Sequence, residues 1–159
     1  MPELEQGDPA EVTVENALRK ARAVRREDVP EMIIGCDTIV AVDGRIYGKP
    51  ADEREAADTI RALGGRTQQV ISGLAVLVGD EERTAVAWTE VTFKAIDDQL
   101  AAWYVATGEW RERSGGYAIQ GAGTDLVEEI SGEIENVVGL PLQILLDLCP
   151  ELKPAGRKG

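Results

Sequence analysis

The run Met32–Val42, MIIGCDTIVAV, constrains the fold of this chain more than any other stretch. It is rich in Ile and Val and too continuous for a strand with one wet face, so it predicts a central strand buried on both faces. One carboxylate, Asp37, interrupts it, with Thr38 next. Asp43-Gly44 then predicts a tight hairpin, with a short return strand over 45–47. The hairpin delivers a lysine between a glycine and a proline, Gly48-Lys49-Pro50. A strand that brings in an aspartate, and a hairpin that returns a lysine near it, is a layout for gripping a phosphate and its metal.

Around this unit, apolar periodicity predicts helices over 11–26, 52–63 and 97–107 and a C-terminal helix over 141–148. Asp52 suits an N-cap, and Gly64-Gly65 suits a stop. Leu100, Trp103 and Tyr104 are expected on one side of their helix. Long strands are predicted over 67–78 and 84–94, with a strand over 126–130 and a short one over 117–119 inside the glycine-rich loop 113–123. Strands and helices alternate irregularly, with at least one antiparallel pair. That argues for a single α/β domain, a mixed, elongated central sheet flanked by helices, not a regular Rossmann fold. The domain is expected to fill residues 1–159, with a motif-bearing core over 11–149 and a polar tail over 150–159.

Composition excludes several function classes. The chain has 159 residues, 43% of them apolar, and a formal charge of −12. So acidic a chain is a poor nucleic-acid binder, because the phosphate backbone rewards basic surfaces. It has no histidine, which excludes His-based nucleophile activation and the usual His zinc sites. Its two cysteines, Cys36 and Cys149, form no metal-spacing pattern and fit a reducing, cytoplasmic setting. No apolar run reaches the roughly 18 residues of a membrane span, so no membrane partner is expected.

Asp37 costs several kcal/mol to bury unless something pairs with it. Three readings stay open on the pattern alone: a carboxylate satisfied by backbone or solvent, a metal ligand, or a general base that deprotonates water. Lys49 reads either as an ordinary turn lysine or as a mobile point charge for phosphate oxygens. Lys20 stands in a basic cluster over 19–26 that is most simply a solvated helix face. Gln120 carries both a donor and an acceptor and suits the hydrogen-bonding edge of a base.

Five colinear motifs carry a resemblance: Lys20-Ala21-Arg22-Ala23, Gly35-Cys36-Asp37-Thr38-Ile39-Val40, Gly48-Lys49-Pro50-Ala51-Asp52, Gly115-Gly116-Tyr117-Ala118-Ile119-Gln120-Gly121 and Asn136-Val137-Val138-Gly139-Leu140-Pro141. In this order the chain resembles the Maf family of nucleoside triphosphate pyrophosphatases over about residues 11–149. The resemblance implies a mixed-sheet α/β fold, often a homodimer. It implies hydrolysis of a nucleoside triphosphate to the monophosphate and pyrophosphate with a divalent cation, Mg2+ or Mn2+. It also implies a house-cleaning role on canonical or modified nucleotides, or a restraint on cell division. By position, Asp37 looks like the catalytic proton acceptor and a candidate metal ligand, and Lys20 and Lys49 like the triphosphate-holding lysines. Thr38 and Gln120 fall where the family sets base preference, and the glutamine resembles the dTTP/UTP branch.

The chain departs from the family at its opening. The family's first strand, its Ser-x-Ser-Pro-Arg-Arg loop and the helix after it have no counterpart here, and Glu3 or Glu5 would stand for a family glutamate that binds metal. Arg113, Ser114 and Ser72 replace the usual lysine, alanine and threonine. Two alternatives stay open: the protein starts upstream of residue 1 and carries that opening there, or the chain is a weakened or inactive nucleotide-binding relative with a regulatory role.

Overall fold

The computed structural model describes residues 7–25, 32–118, 121–132 and 142–152. Helix α1 spans Pro9–Ala23; Asp8 caps it by accepting from the Glu11 amide at 3.1 Å, and Pro9 occupies the first turn. Strand β1 (Met32–Val42) and β2 (Arg45–Tyr47) form the expected hairpin, with positive φ at Asp43 (51°) and Gly44 (80°). Helix α2 (Glu53–Leu63) starts at its Asp52 cap, as read from the sequence. Strands β3 (Thr67–Val78) and β4 (Glu81–Phe93) make a long hairpin, followed by α3 (Asp98–Ala106), β5 (Val127–Gly132) and α4 (Leu142–Leu148).

The five strands form one sheet in the order β2-β1-β3-β4-β5. The helix-flanked α/β domain is present. Over the described residues its sheet is antiparallel at every pairing, rather than mixed. The cause is local: two hairpins reverse the chain, and α2 carries it from β2 back to the free side of β1.

Helices cover the sheet unequally. α1 packs on the face that carries Ile33, Gly35 and Asp37 of β1 and Gly73, Ala75 and Leu77 of β3. Two glycines allow a very close approach. A Cβ at Gly35 would lie 2.2 Å from the Ala17 carbonyl oxygen, and one at Gly73 would lie 2.3 Å from the Thr13 carbonyl carbon. The other face holds two cores. Val40, Val42 and Val70 pack with Ile60, Leu63 and Tyr104 of α2 and α3, while Leu74 and Val76 pack with Leu145 of α4.

Two local expectations change. Tyr104 is fully buried and Leu100 packs against the same core, but Trp103 is 46% exposed, so of the three the tryptophan alone turns outward. Tyr117 and Ala118 are not a strand; they lie between the 3₁₀ turns Ser114–Gly116 and Gly121–Leu126. The Ala118 amide donates to the Tyr104 hydroxyl at 2.8 Å, which satisfies it without a sheet partner.

Candidate active site

The close approach of α1 to the sheet decides the surroundings of Asp37. Asn16 and Lys20 are one turn apart on α1 and so share a face. Asp37 stands opposite Gly73 in the β1–β3 register, where α1 lies nearest. Its Oδ1 accepts from Lys20 Nζ at 3.0 Å, and its Oδ2 accepts from Asn16 Nδ2 at 3.1 Å. The carboxylate is only 4% exposed, so its charge is balanced by an ammonium group and an amide rather than by water. The Lys20 side chain is 42% exposed and connects the pair to solvent.

The basic cluster on α1 sorts itself by partner. Arg19 pairs with Glu15, Arg22 makes a two-pronged bridge to Glu82 on β4, and Arg25 donates to the Gly79 carbonyl. Among the described residues of the cluster, Lys20 alone turns to the aspartate. Asn16 was not singled out in the sequence. A polar residue in the apolar rhythm of α1 was the available signal, and it is 1% exposed.

Thr38 points to the opposite face, where its hydroxyl lies 2.6 Å from that of Ser72. Both line up between the two cores on that face. Strand β2 pairs with β1 only at Val40–Val42, and a pocket of about 220 Å³ wraps around β1 beside this short pairing. It is lined by Lys20, Asp37, Thr38 and Lys49 together with Val40, Val70 and Tyr117, and by Glu112, Arg113 and Ser114. Four of the expected site residues thus meet in one cavity. Gln120, Glu3, Glu5 and the 136–141 motif lie outside the described residues.

Lys49 is brought to the pocket by a loop contact. The Gly115 amide donates to the Gly48 carbonyl at 3.1 Å, and Gly115 and Gly116, both at φ 74°, press against Val40 and Pro50. A side chain at Gly115 would meet Val40 Cγ2 at 2.8 Å, so glycine is needed for this docking. Arg113 and Ser114, just before Gly115, line the same pocket as Lys49. Cys36, next to Asp37, is held as a neutral thiol because burial pushes its pKa up to about 11.

The cavity therefore has two characters. Its lining combines three cationic groups, Lys20, Lys49 and Arg113, and the carboxylates Asp37 and Glu112 with the apolar surfaces of Val40, Val70 and Tyr117. Such a site can hold an anion of several oxygens and a flat apolar group.

Proteins named dTTP/UTP pyrophosphatase are similar to this chain. The one from Pyrococcus furiosus is 39% identical over 145 residues, covering 91% of this chain and 76% of the relative. The one from Symbiobacterium thermophilum is 47% identical over 134 residues, covering 84% and 69%. That of Deinococcus radiodurans is 40% identical over 141 residues, covering 89% and 72%. The family model described as Maf-like protein matches residues 1–152, and the chain belongs to the Maf family.

Proposed function

We propose that this chain is a nucleotide pyrophosphatase that hydrolyses dTTP- and UTP-like nucleoside triphosphates, modified ones included, to the monophosphate and pyrophosphate. The observation that carries the reading is the buried Asp37 carboxylate, held by Lys20 and Asn16, in a cavity that Lys49 also lines. The names of the relatives support the reaction and the pyrimidine preference.

In this reading Lys20, Lys49 and Arg113 hold the triphosphate oxygens as fixed positive charges. Asp37 takes a proton from water as the water oxygen bonds to phosphorus. The bond to the oxygen bridging the α and β phosphorus atoms breaks, and pyrophosphate leaves with that oxygen. A carboxylate fixed on two donors is preorganised for this and needs no rearrangement before accepting the proton.

The residues present fit a hard divalent ion. Among the described residues no three Asp, Glu or Cys groups converge on one point. Asp37 and Glu112 are the pocket's carboxylates. That donor set suits Mg2+ or Mn2+ held by one carboxylate, water and the substrate's own phosphates, not a protein cage. When bound, the ion would neutralise phosphate charge.

The test is pyrophosphate release from dTTP and UTP with Mg2+, run beside calorimetric binding. Release at a rate well above solution hydrolysis is expected. Tight binding with no release from any nucleoside triphosphate would overturn the reading and favour a non-catalytic relative.

A further inference from the structure

Tyr104 and Glu109 form a hydrogen-bonded pair that does not line the pocket. Glu109 lies just past the end of α3. Its Oε1 accepts from the Tyr104 hydroxyl at 3.4 Å and from the Gly123 amide at 3.3 Å, and its Oε2 accepts from the Ala122 amide at 3.0 Å. The Tyr104 hydroxyl in turn accepts from the Ala118 amide at 2.8 Å. One carboxylate and one phenol thus hold backbone amides at 118, 122 and 123.

The chain closes on itself at this point. A Cβ at Gly123 would lie 1.6 Å from the Ala118 carbonyl oxygen, so positions 118 and 123 touch and form the neck of a small loop. A Cβ at Gly121 would meet Glu109 Oε2 at 2.9 Å; the glycine gives the carboxylate its room. Tyr104 is fully buried, and burial raises its pKa to about 12, so it keeps the proton it donates. Tyr117, directly before the neck, is an apolar wall of the pocket and packs edge-on against Phe93 at 4.7 Å.

We propose that Glu109 and Tyr104 are positioning residues for base selection: their staple fixes the loop neck, and with it the apolar wall at Tyr117 against which the base of the nucleotide lies. This rests on the proposed function for the identity of the ligand. Two of the cations proposed for phosphate stand on other elements, Lys20 on α1 and Lys49 on the β2–α2 connection. Loosening the neck should therefore blur the choice of base without weakening the hold on phosphate. Glu109→Gln preserves size but turns one acceptor oxygen into a donor, which leaves a backbone amide facing an N–H group. Tyr104→Phe removes the acceptor of the Ala118 amide and leaves the ring in place.

The experiment is calorimetric binding of UTP, GTP and pyrophosphate, each with Mg2+, to the wild type, Glu109→Gln and Tyr104→Phe. The wild type should prefer UTP. Both variants should lose at least tenfold of that preference while pyrophosphate affinity stays within twofold. The inference is overturned by an unchanged ratio, by equal weakening of all three ligands, or by a wild type without preference. Because binding is read, failure of hydrolysis alone counts against the proposed function and not against this assignment.

Discussion

Asp37 gains its character from what α1 places beside it. A carboxylate 4% exposed in the middle of a strand would be costly to ionise alone. Here Lys20 and Asn16 each occupy one of its oxygens, at 3.0 and 3.1 Å. A hydrogen bond to a charged group contributes about 1.5–3 kcal/mol. Asn16→Ala is therefore expected to lower kcat by roughly tenfold or more through misplacement of the carboxylate, with KM within about twofold. Steady-state pyrophosphate release against nucleotide concentration measures this, and an unchanged kcat would count against the positioning role. Asn16 was hard to read from the sequence because its partner is 21 residues away and on another element. Lys20 was hard to choose among its basic neighbours until Arg19, Arg22 and Arg25 had partners of their own.

At the scale of elements, the site depends on how deeply α1 sits on the sheet. Gly73 faces Thr13, and a methyl group there would stand 2.5 Å from the Thr13 oxygen and the Val14 nitrogen. Gly73→Ala should shift α1 outward, destabilise the fold by about 1–3 kcal/mol and lower pyrophosphate release, since α1 carries Asn16 and Lys20. Gly65→Asn is the control: its φ of 68° suits asparagine, nothing lies within 4 Å of its Cβ, and activity should stand. Urea midpoints and rates for the two variants decide the matter. β1, β2, α2 and β3 were legible because their signals are local: a β-branched run, a two-residue turn, an aspartate cap and a glycine stop. The segment around Tyr117 was not. Its apolar residues suggest a strand, but the Ala118 amide is taken by a hydroxyl 14 residues back in the chain. The antiparallel order was only partly legible, because strand order follows from where α2 returns the chain and not from any one segment.

For the whole molecule, burial of phenols links stability to pH. Burial raises the Tyr104 pKa from 10.0 to about 12 and shifts that of Tyr117 further upward. Below the ordinary tyrosine range both groups are protonated folded or unfolded, and their contribution is constant. Above it the unfolded chain releases protons that the folded chain retains, so stability falls as pH rises. Each tyrosine contributes up to about 1.4 kcal/mol per pH unit in that window. The urea midpoint should be flat in this contribution near pH 8 and decline from about pH 9.5 upward, and Tyr117→Phe should make the decline shallower. The molecule also places its cations against its overall charge of −12 by gathering Lys20, Lys49 and Arg113 at one cavity with the carboxylates Asp37 and Glu112. Asp37→Asn probes the carboxylate at the centre of that arrangement, because the amide keeps the shape but cannot accept the proton from water. With dTTP or UTP and Mg2+, the variant should still bind nucleotide while pyrophosphate release falls by roughly 10²–10⁴-fold. Release by Asp37→Asn at the wild-type rate would rule out Asp37 as the proton acceptor.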